Sequence, residues 1–99
     1  MIKKNEILSI LDENKEGIKK FGVKRIGIFG SFVKNKAKTK SDVDILIEFQ
    51  QGQKSFDNYM ELKDFLEKKL QRKVDLVVKE ALKSRIKSLI LKETLYAGL

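Results

Sequence analysis

The sequence predicts an α+β fold in which three strands share one sheet and helices cover it. Three short apolar runs, at residues 24–29, 43–49 and 73–78, have the length and pattern of strands. Longer stretches around them repeat apolar residues every three or four positions, which is typical of helices. Such strands bury their apolar residues only in a common sheet with helices on at least one face. The pattern leaves open which neighbouring strands are parallel.

A helix is predicted over residues 3–20, at the start of the chain. Its apolar face consists of Ile7, Leu11 and Ile18, flanked by Leu8 and Ile10. Gly22 is expected to end this helix, because glycine tolerates the left-handed backbone that follows many helices. The first strand then runs to Gly30-Ser31, after which a short helical turn and a polar loop continue to residue 40.

Two more strands and two more helices complete the predicted order. After the strand 43–49, the polar loop 50–54 leads to a helix over 55–70. The apolar face of that helix consists of Phe56, Tyr59, Leu62, Leu66 and Leu70. A last helix over 82–96 is expected to turn inward Leu82, Ile86, Leu89 and Ile90. Ordinary core is the first interpretation of the apolar faces of the first and last helices, and a partner or dimer contact is the other.

Length and composition exclude several kinds of chemistry. A chain of 99 residues predicts a single domain, residues 1–99. It has no cysteine and no histidine, which excludes disulfides, thiolate or imidazole metal sites, and catalysis of the Ser-His-Asp or Cys-His type. Catalytic groups are then drawn from Asp, Glu, Lys and Tyr, and carboxylate oxygens favour a hard ion such as Mg²⁺.

The net charge is +8, from 22 Lys and Arg against 14 Asp and Glu. It fits either a solvated lysine-rich surface or attraction to an anionic nucleotide, nucleic acid or partner. The lysines are spread along the chain without interleaved aromatic residues, so nucleic acid is not the expected substrate. No apolar run reaches the roughly 20 residues of a membrane span, and no signal-peptide core follows the N-terminus. We therefore expect a cytoplasmic protein.

Two carboxylates stand at the start of the second strand. Side chains alternate across a strand, so Asp42 and Asp44 point to one face and Val43 and Ile45 to the other. The Cα atoms of the two acids lie about 6.5–7 Å apart, a spacing that suits one or two divalent ions. Without a cation the two anions repel, and the pKa of one is expected to rise. The alternative is a turn residue at Asp42 and a solvated edge position at Asp44.

Two further features accompany these acids. Gly30-Ser31 ends the first strand, with ten residues between Ser31 and Asp42. Glycine allows a ligand to approach the backbone, and a following helical turn points N–H groups at phosphate oxygens. Asp75 lies inside the apolar third strand, where an acid is costly unless it is paired or bound to metal. The alternatives are a plain strand–turn junction at Gly30-Ser31 and an ion pair of Asp75 with Lys73 or Arg72.

Gly30-Ser31, ten residues and then Asp42-Val43-Asp44 resemble the Gly-Ser-x10-Asp-x-Asp signature of the minimal nucleotidyltransferases, within the polymerase-β-like nucleotidyltransferase superfamily. The resemblance extends over nearly the whole chain and includes the segment 73–77 around Asp75. It implies a small mixed sheet of three to four strands packed with helices, the palm-like core of that superfamily. One difference is Lys34-Asn35, where family members often have Arg-Gly, because lysine lacks the two-pronged phosphate contact of arginine.

The resemblance also implies roles for residues and partners. Catalysis and the binding of one or two Mg²⁺ ions would fall to Asp42, Asp44 and Asp75. Binding of the nucleotide, ATP, would fall to Gly30, Ser31 and Lys34. Minimal members of this type transfer AMP to a tyrosine hydroxyl of a HEPN-domain toxin and silence it, so the resemblance implies an antitoxin.

Two other functions stay open at the level of sequence. A catalytically weak relative would neutralise its partner by contact alone, and the Lys34-Asn35 pair keeps that interpretation available. Transfer to a small hydroxylated substrate is the other, although related enzymes usually carry an extra domain to hold it. The sequence does not give the oligomeric state.

Overall fold

The structure is a computed structural model, and it describes residues 2–98. Its helices and strands, in chain order, are α1 (Lys4–Glu13), α2 (Lys15–Lys20), β1 (Val23–Phe29), β2 (Val43–Phe49), α3 (Phe56–Leu70), β3 (Val74–Val78), α4 (Ser84–Glu93) and β4 (Leu95–Tyr96). The strands form one sheet in the order β3-β2-β1-β4. Strands β2 and β3 are parallel and the other neighbours are antiparallel. The predicted α+β fold with a small mixed sheet is confirmed.

Helices α1, α2 and α3 pack against one face of the sheet. Their buried side chains are Ile7, Leu11, Ile18, Leu62, Leu66 and Leu70. The strands contribute to the same core Val23, Ile26, Ile28, Val43, Ile45, Ile47, Phe49, Val74, Leu76 and Val78. Because side chains alternate, the opposite face of β2 carries Asp44, Leu46 and Glu48. The sheet therefore has one apolar face under helices and one face that carries acids.

The predicted helix over 3–20 is in fact two helices, α1 and α2, that meet at Asn14. The Asn14 side chain donates through Nδ2 to the carbonyl of Ile10 at 2.7 Å, and so takes part in the helical turn that it follows. Asparagine side chains compete with the backbone in this way and favour helix ends. Gly22 ends α2 with a φ of 83°, as the sequence predicts.

The last helix is shorter than predicted, because it ends at Glu93 and a fourth strand follows. The Thr94 hydroxyl donates to the carbonyl of Ile90 at 2.6 Å, and the Thr94 backbone is extended. Strand β4 then pairs with β1, where Gly27 lies opposite Tyr96. A Cβ atom at Gly27 would lie 2.6 Å from Cγ2 of Thr94, so only glycine allows this segment to lie so close.

The inward orientation predicted for α4 is wrong for two of its residues. Ile86 is 49% exposed and Leu89 is 64% exposed, and no residue of α4 is fully buried. Phe56, expected on the apolar face of α3, is also exposed, because it stands in the first turn beyond the edge of the core. Among residues 2–98, no helix is both long enough and apolar enough to span a membrane.

Candidate active site

Asp44 and Asp75 are direct neighbours in the sheet. Strands β2 and β3 run parallel with Asp44 opposite Asp75, so the two side chains project from the same face. Asp42 stands immediately before β2, two positions from Asp44, and its side chain is exposed. On its other side, Asp44 lies opposite Phe29, the last residue of β1. The pairing of the strands thus brings the three predicted acids to one end of one sheet face.

The electrostatics of this end follow from that arrangement. The pKa of Asp44 is raised from 3.8 to about 6, first by burial, then by the charge of Asp75. Asp42 adds a smaller repulsion, and the backbone N–H of Ser31 lowers the pKa in part. A carboxylate with a raised pKa beside other acids is short of positive charge, which a bound cation would supply.

Gly30 joins the two halves of the sequence signature. Its φ is 75°, in the left-handed region that glycine adopts without strain. A Cβ atom at this position would collide with the carboxylate of Asp44. The glycine is therefore required twice, once by the backbone turn and once by the acid that lies against it.

The segment after Gly30 is a hydrogen-bonded turn, in agreement with the predicted short helical turn, and it does not extend into a regular helix. The N–H of Lys34 donates to the Gly30 carbonyl at 3.1 Å, and the N–H of Lys36 donates to the Ser31 carbonyl at 2.8 Å. Asn35 has a φ of 58°, a left-handed conformation that asparagine tolerates better than most residues. Asparagine can therefore stand where family members often have glycine.

Lys34 lies on this turn, but its ammonium group pairs with Glu93 at the end of α4. The Lys34 Nζ to Glu93 Oε1 distance is 2.9 Å, and half of the lysine side chain remains exposed. The structure thus brings α4 beside the Gly30-Ser31 turn. The predicted contact of Lys34 with nucleotide requires this ion pair to open or to be shared.

Arg72 is a residue that the sequence analysis did not assign to the site. Its guanidinium donates to the carbonyls of Thr39 and Ser41, at 2.9 and 3.3 Å, and lies 5.4 Å from the centre of the Phe32 ring. It therefore braces the loop that leads to Asp42. Among the described residues, Asp75 forms no ion pair with Arg72 or Lys73, so that alternative for the acid is not observed.

The donor set fits Mg²⁺ that is shared with a phosphate ligand. Within residues 2–98 no three Asp or Glu side chains are close enough to enclose a metal ion by themselves. Mg²⁺ usually takes one or two carboxylates and completes its shell with substrate phosphates and water. The neighbouring carboxylates of Asp44 and Asp75, with Asp42 beside them, supply that number of oxygen ligands. An open groove of about 300 Å³, lined by residues 39–42 and 71–73, lies next to Asp42.

A sheet with this order and a Gly-Ser turn against paired acids defines a nucleotidyltransferase core. The sequence profile of the nucleotidyltransferase domain family matches residues 5–97, and the chain belongs to that family. It is 44% identical over 97 residues to the protein adenylyltransferase MntA of the archaeon Thermococcus cleftensis. That match covers 97% of both chains.

Solved structures share the fold. A minimal nucleotidyltransferase superposes with a TM-score of 0.74 at 29% identity, and the match covers 89% of this chain and 93% of the other. A toxin–antitoxin structure with AMP-PNP has a TM-score of 0.68 at 21% identity, covering 96% and 72%. A Shewanella oneidensis complex of a tri-AMPylated HEPN toxin with an MNT antitoxin has a TM-score of 0.58 at 20% identity, covering 94% and 66%.

Proposed function

We propose that this nucleotidyltransferase is a Mg²⁺-dependent protein adenylyltransferase that transfers AMP from ATP to a tyrosine hydroxyl of a HEPN-domain toxin. In this proposal residues 1–99 act as one domain, in the cytoplasm, and the modification makes the chain an antitoxin. The observation that carries the proposal is the contact of the Gly30 turn with Asp44, beside Asp75. The similarity to MntA over 97% of the chain supports the acceptor class, and the AMPylated HEPN toxin in a structural neighbour supports the partner.

The proposed reaction exchanges one phosphorus–oxygen bond for another. The acceptor oxygen forms a bond to the α-phosphorus of ATP, the bond between the α- and β-phosphates breaks, and pyrophosphate leaves. Asp75 accepts the proton of the attacking hydroxyl, for which its exposed position on β3 is suited. Asp42 and Asp44 would hold Mg²⁺ with Asp75, and the ion would supply positive charge to the reacting phosphates.

The turn after β1 is proposed to hold the remaining phosphates. In this proposal the backbone of the Gly30-Ser31 turn contacts the β- and γ-phosphates, and the missing side chain of Gly30 leaves room for the Asp44 carboxylate beside them. Ser31 is half-buried, and its hydroxyl is proposed to donate to a phosphate oxygen. Lys34 adds positive charge when its pair with Glu93 is shared with the nucleotide.

Co-expression with a HEPN-domain toxin, sought first in the neighbouring reading frame, tests the proposal. We expect intact mass spectrometry of the HEPN protein to show added AMP on a tyrosine, and the Asp42→Asn variant to abolish that mass. An unmodified partner that stays toxic in the presence of the wild-type chain would overturn the proposal. A variant that neutralises the toxin without transferring AMP would instead support neutralisation by contact.

A further inference from the structure

Helix α4 is the one helix in the described part of the chain that has both three turns of length and no buried residue. Helices α1 and α3 each bury two or three apolar side chains, whereas α4 buries none. Ile86 and Leu89, three positions apart, share one side of α4, and both are about half or more exposed. An exposed apolar pair is not by itself an interaction site, so the surroundings of Ile86 and Leu89 decide what this side of α4 can bind.

The surroundings of this apolar pair are basic. A groove of about 440 Å³ on α4 is lined by Lys83, Arg85, Ile86 and Leu89, which we call the α4 surface. From residue 82 to residue 92 the chain has three Lys and one Arg and no acidic residue. The α4 surface therefore combines an aliphatic centre with a positively charged rim, and it complements an apolar patch bordered by acids.

The position of the α4 surface relates it to the acid cluster. Ile86, Leu89 and Glu93 fall on one side of the helix, at spacings of three and seven residues. The rise from Ile86 to Glu93 is about 10 Å, at about 1.5 Å per residue. Glu93 in turn pairs with Lys34 on the turn that follows Gly30. The α4 surface thus lies on the helix whose C-terminal end contacts the turn that is proposed to hold the nucleotide.

We propose that the α4 surface docks the acceptor protein, through an apolar patch of that protein bordered by Asp and Glu side chains. This inference rests on the proposed function in that the acceptor is a protein. A second copy of the chain is a poorer occupant, because a chain of net charge +8 would bring basic rims together. Nucleic acid is also poorer, because the centre of the surface is aliphatic and offers no aromatic ring on which bases stack.

The test compares two pairs of exposed apolar residues. Ile86→Asp/Leu89→Asp changes the α4 surface, and Phe56→Asp/Met60→Asp changes a matched exposed pair on α3. The α3 pair follows the end of β2 that is remote from Asp44, so it serves as the control. Affinity for the HEPN-domain toxin used in the co-expression test, the KM for that toxin and the Kd for MgATP are measured for each variant.

We expect Ile86→Asp/Leu89→Asp to weaken HEPN binding and to raise the KM for the HEPN protein, each at least about tenfold. The Kd for MgATP and the thermal unfolding temperature should stay near wild type, because both side chains are exposed. The α3 variant should behave as wild type in every measurement. Arg85→Glu should slow association about three- to tenfold at low salt, and Lys19→Glu, the same charge reversal on α2, should not.

Unchanged HEPN binding by the α4 variant would overturn the inference. An equal loss of HEPN binding in the α3 variant would also overturn it. A wild-type dimer in sedimentation that the α4 variant converts to monomer, with HEPN transfer intact, would assign the surface to a second copy. Loss of RNA binding alone would assign it to nucleic acid. Wild-type chain that binds HEPN through Ile86 and Leu89 but transfers no AMP would overturn the proposed function and leave the docking surface standing.

Discussion

Asp44 and Glu48 lie four residues apart on the same face of β2, but the side chains around them carry opposite charges. Glu48 has cations on two sides: its Oε2 atom is 3.6 Å from Lys79 Nζ and 4.0 Å from Arg25 Nη1. Asp44 has carboxylates as neighbours and, among the described residues, no cation within ion-pair distance. The chain thus neutralises the acid at one end of the face and leaves the other end in need of an external cation. A carboxylate that is paired with cations is typical of a structural residue. A carboxylate without a cation partner is typical of a functional site.

Neutralising each acid in turn should give the largest difference between the two ends of β2. Asp44→Asn should lower AMP transfer at least about 100-fold, because it removes an oxygen ligand of the proposed ion. Glu48→Gln should lower AMP transfer by no more than about threefold. It should cost roughly 1 kcal/mol of stability, because Arg25 and Lys79 lose their shared anion. Initial rates with labelled ATP and urea unfolding measure the two effects, and equal losses of activity would contradict the comparison.

Gly30, which lies at the Asp44 end of the face, has a matched counterpart in Gly52. Gly30 and Gly52 have similar positive φ angles, 75° and 80°, but only Gly30 lies against another residue, Asp44. Gly52→Ala should cost about 1 kcal/mol from backbone strain alone. Gly30→Ala should cost about 2–3 kcal/mol, because its Cβ atom also displaces the Asp44 carboxylate. Denaturant unfolding of both variants gives the difference, and equal costs would show that the contact with Asp44 is not tight.

The dependence of stability on pH distinguishes the two ends of the face as well. In the metal-free chain, the Asp44 carboxyl keeps its proton up to about pH 6 when folded, but loses it near the ordinary pKa of 3.8 when unfolded. Stability contributed by this group is therefore present below pH 3.8 and is lost as the pH rises to 6 and above. Asp44→Asn should stabilise the chain by roughly 1 kcal/mol at pH 8, a figure reduced for solvent screening of a half-exposed group. The gain should vanish near pH 4; urea unfolding with EDTA at both values checks it, and a gain independent of pH would contradict it.

The ion pair of Lys34 with Glu93 gives the smallest expected effect. Glu93→Gln frees the lysine ammonium, so the KM for ATP should fall about two- to threefold if Lys34 reaches a phosphate. Stability should change by less than about 1 kcal/mol, because the pair is partly exposed to solvent. Asp64→Gln, which frees Lys68 from a similar pair on α3, is the control and should leave the KM unchanged. A KM that does not move in either variant would remove Lys34 from the nucleotide site.

Much of the site could be predicted because its first part is local in sequence. The alternation of β2 places Asp42 and Asp44 on one face whatever the strand pairs with, and Gly30-Ser31 follows from the end of a short apolar strand. Arg72 could not be assigned in the same way. Its role depends on backbone carbonyls more than thirty residues away, and a sequence pattern does not identify an acceptor that every residue possesses.

Three strands, the approximate positions of the helices and the spacing of the signature could be predicted, because periodicity and turn residues act over a few neighbouring positions. Tertiary structure decided that β3 lies parallel to β2, which places Asp75 beside Asp44. It also decided that residues 95–96 form a strand against Gly27 and that α4 leaves Ile86 and Leu89 exposed. An amphipathic pattern predicts that an apolar face will be covered, but only the packing of distant segments determines whether this chain covers it.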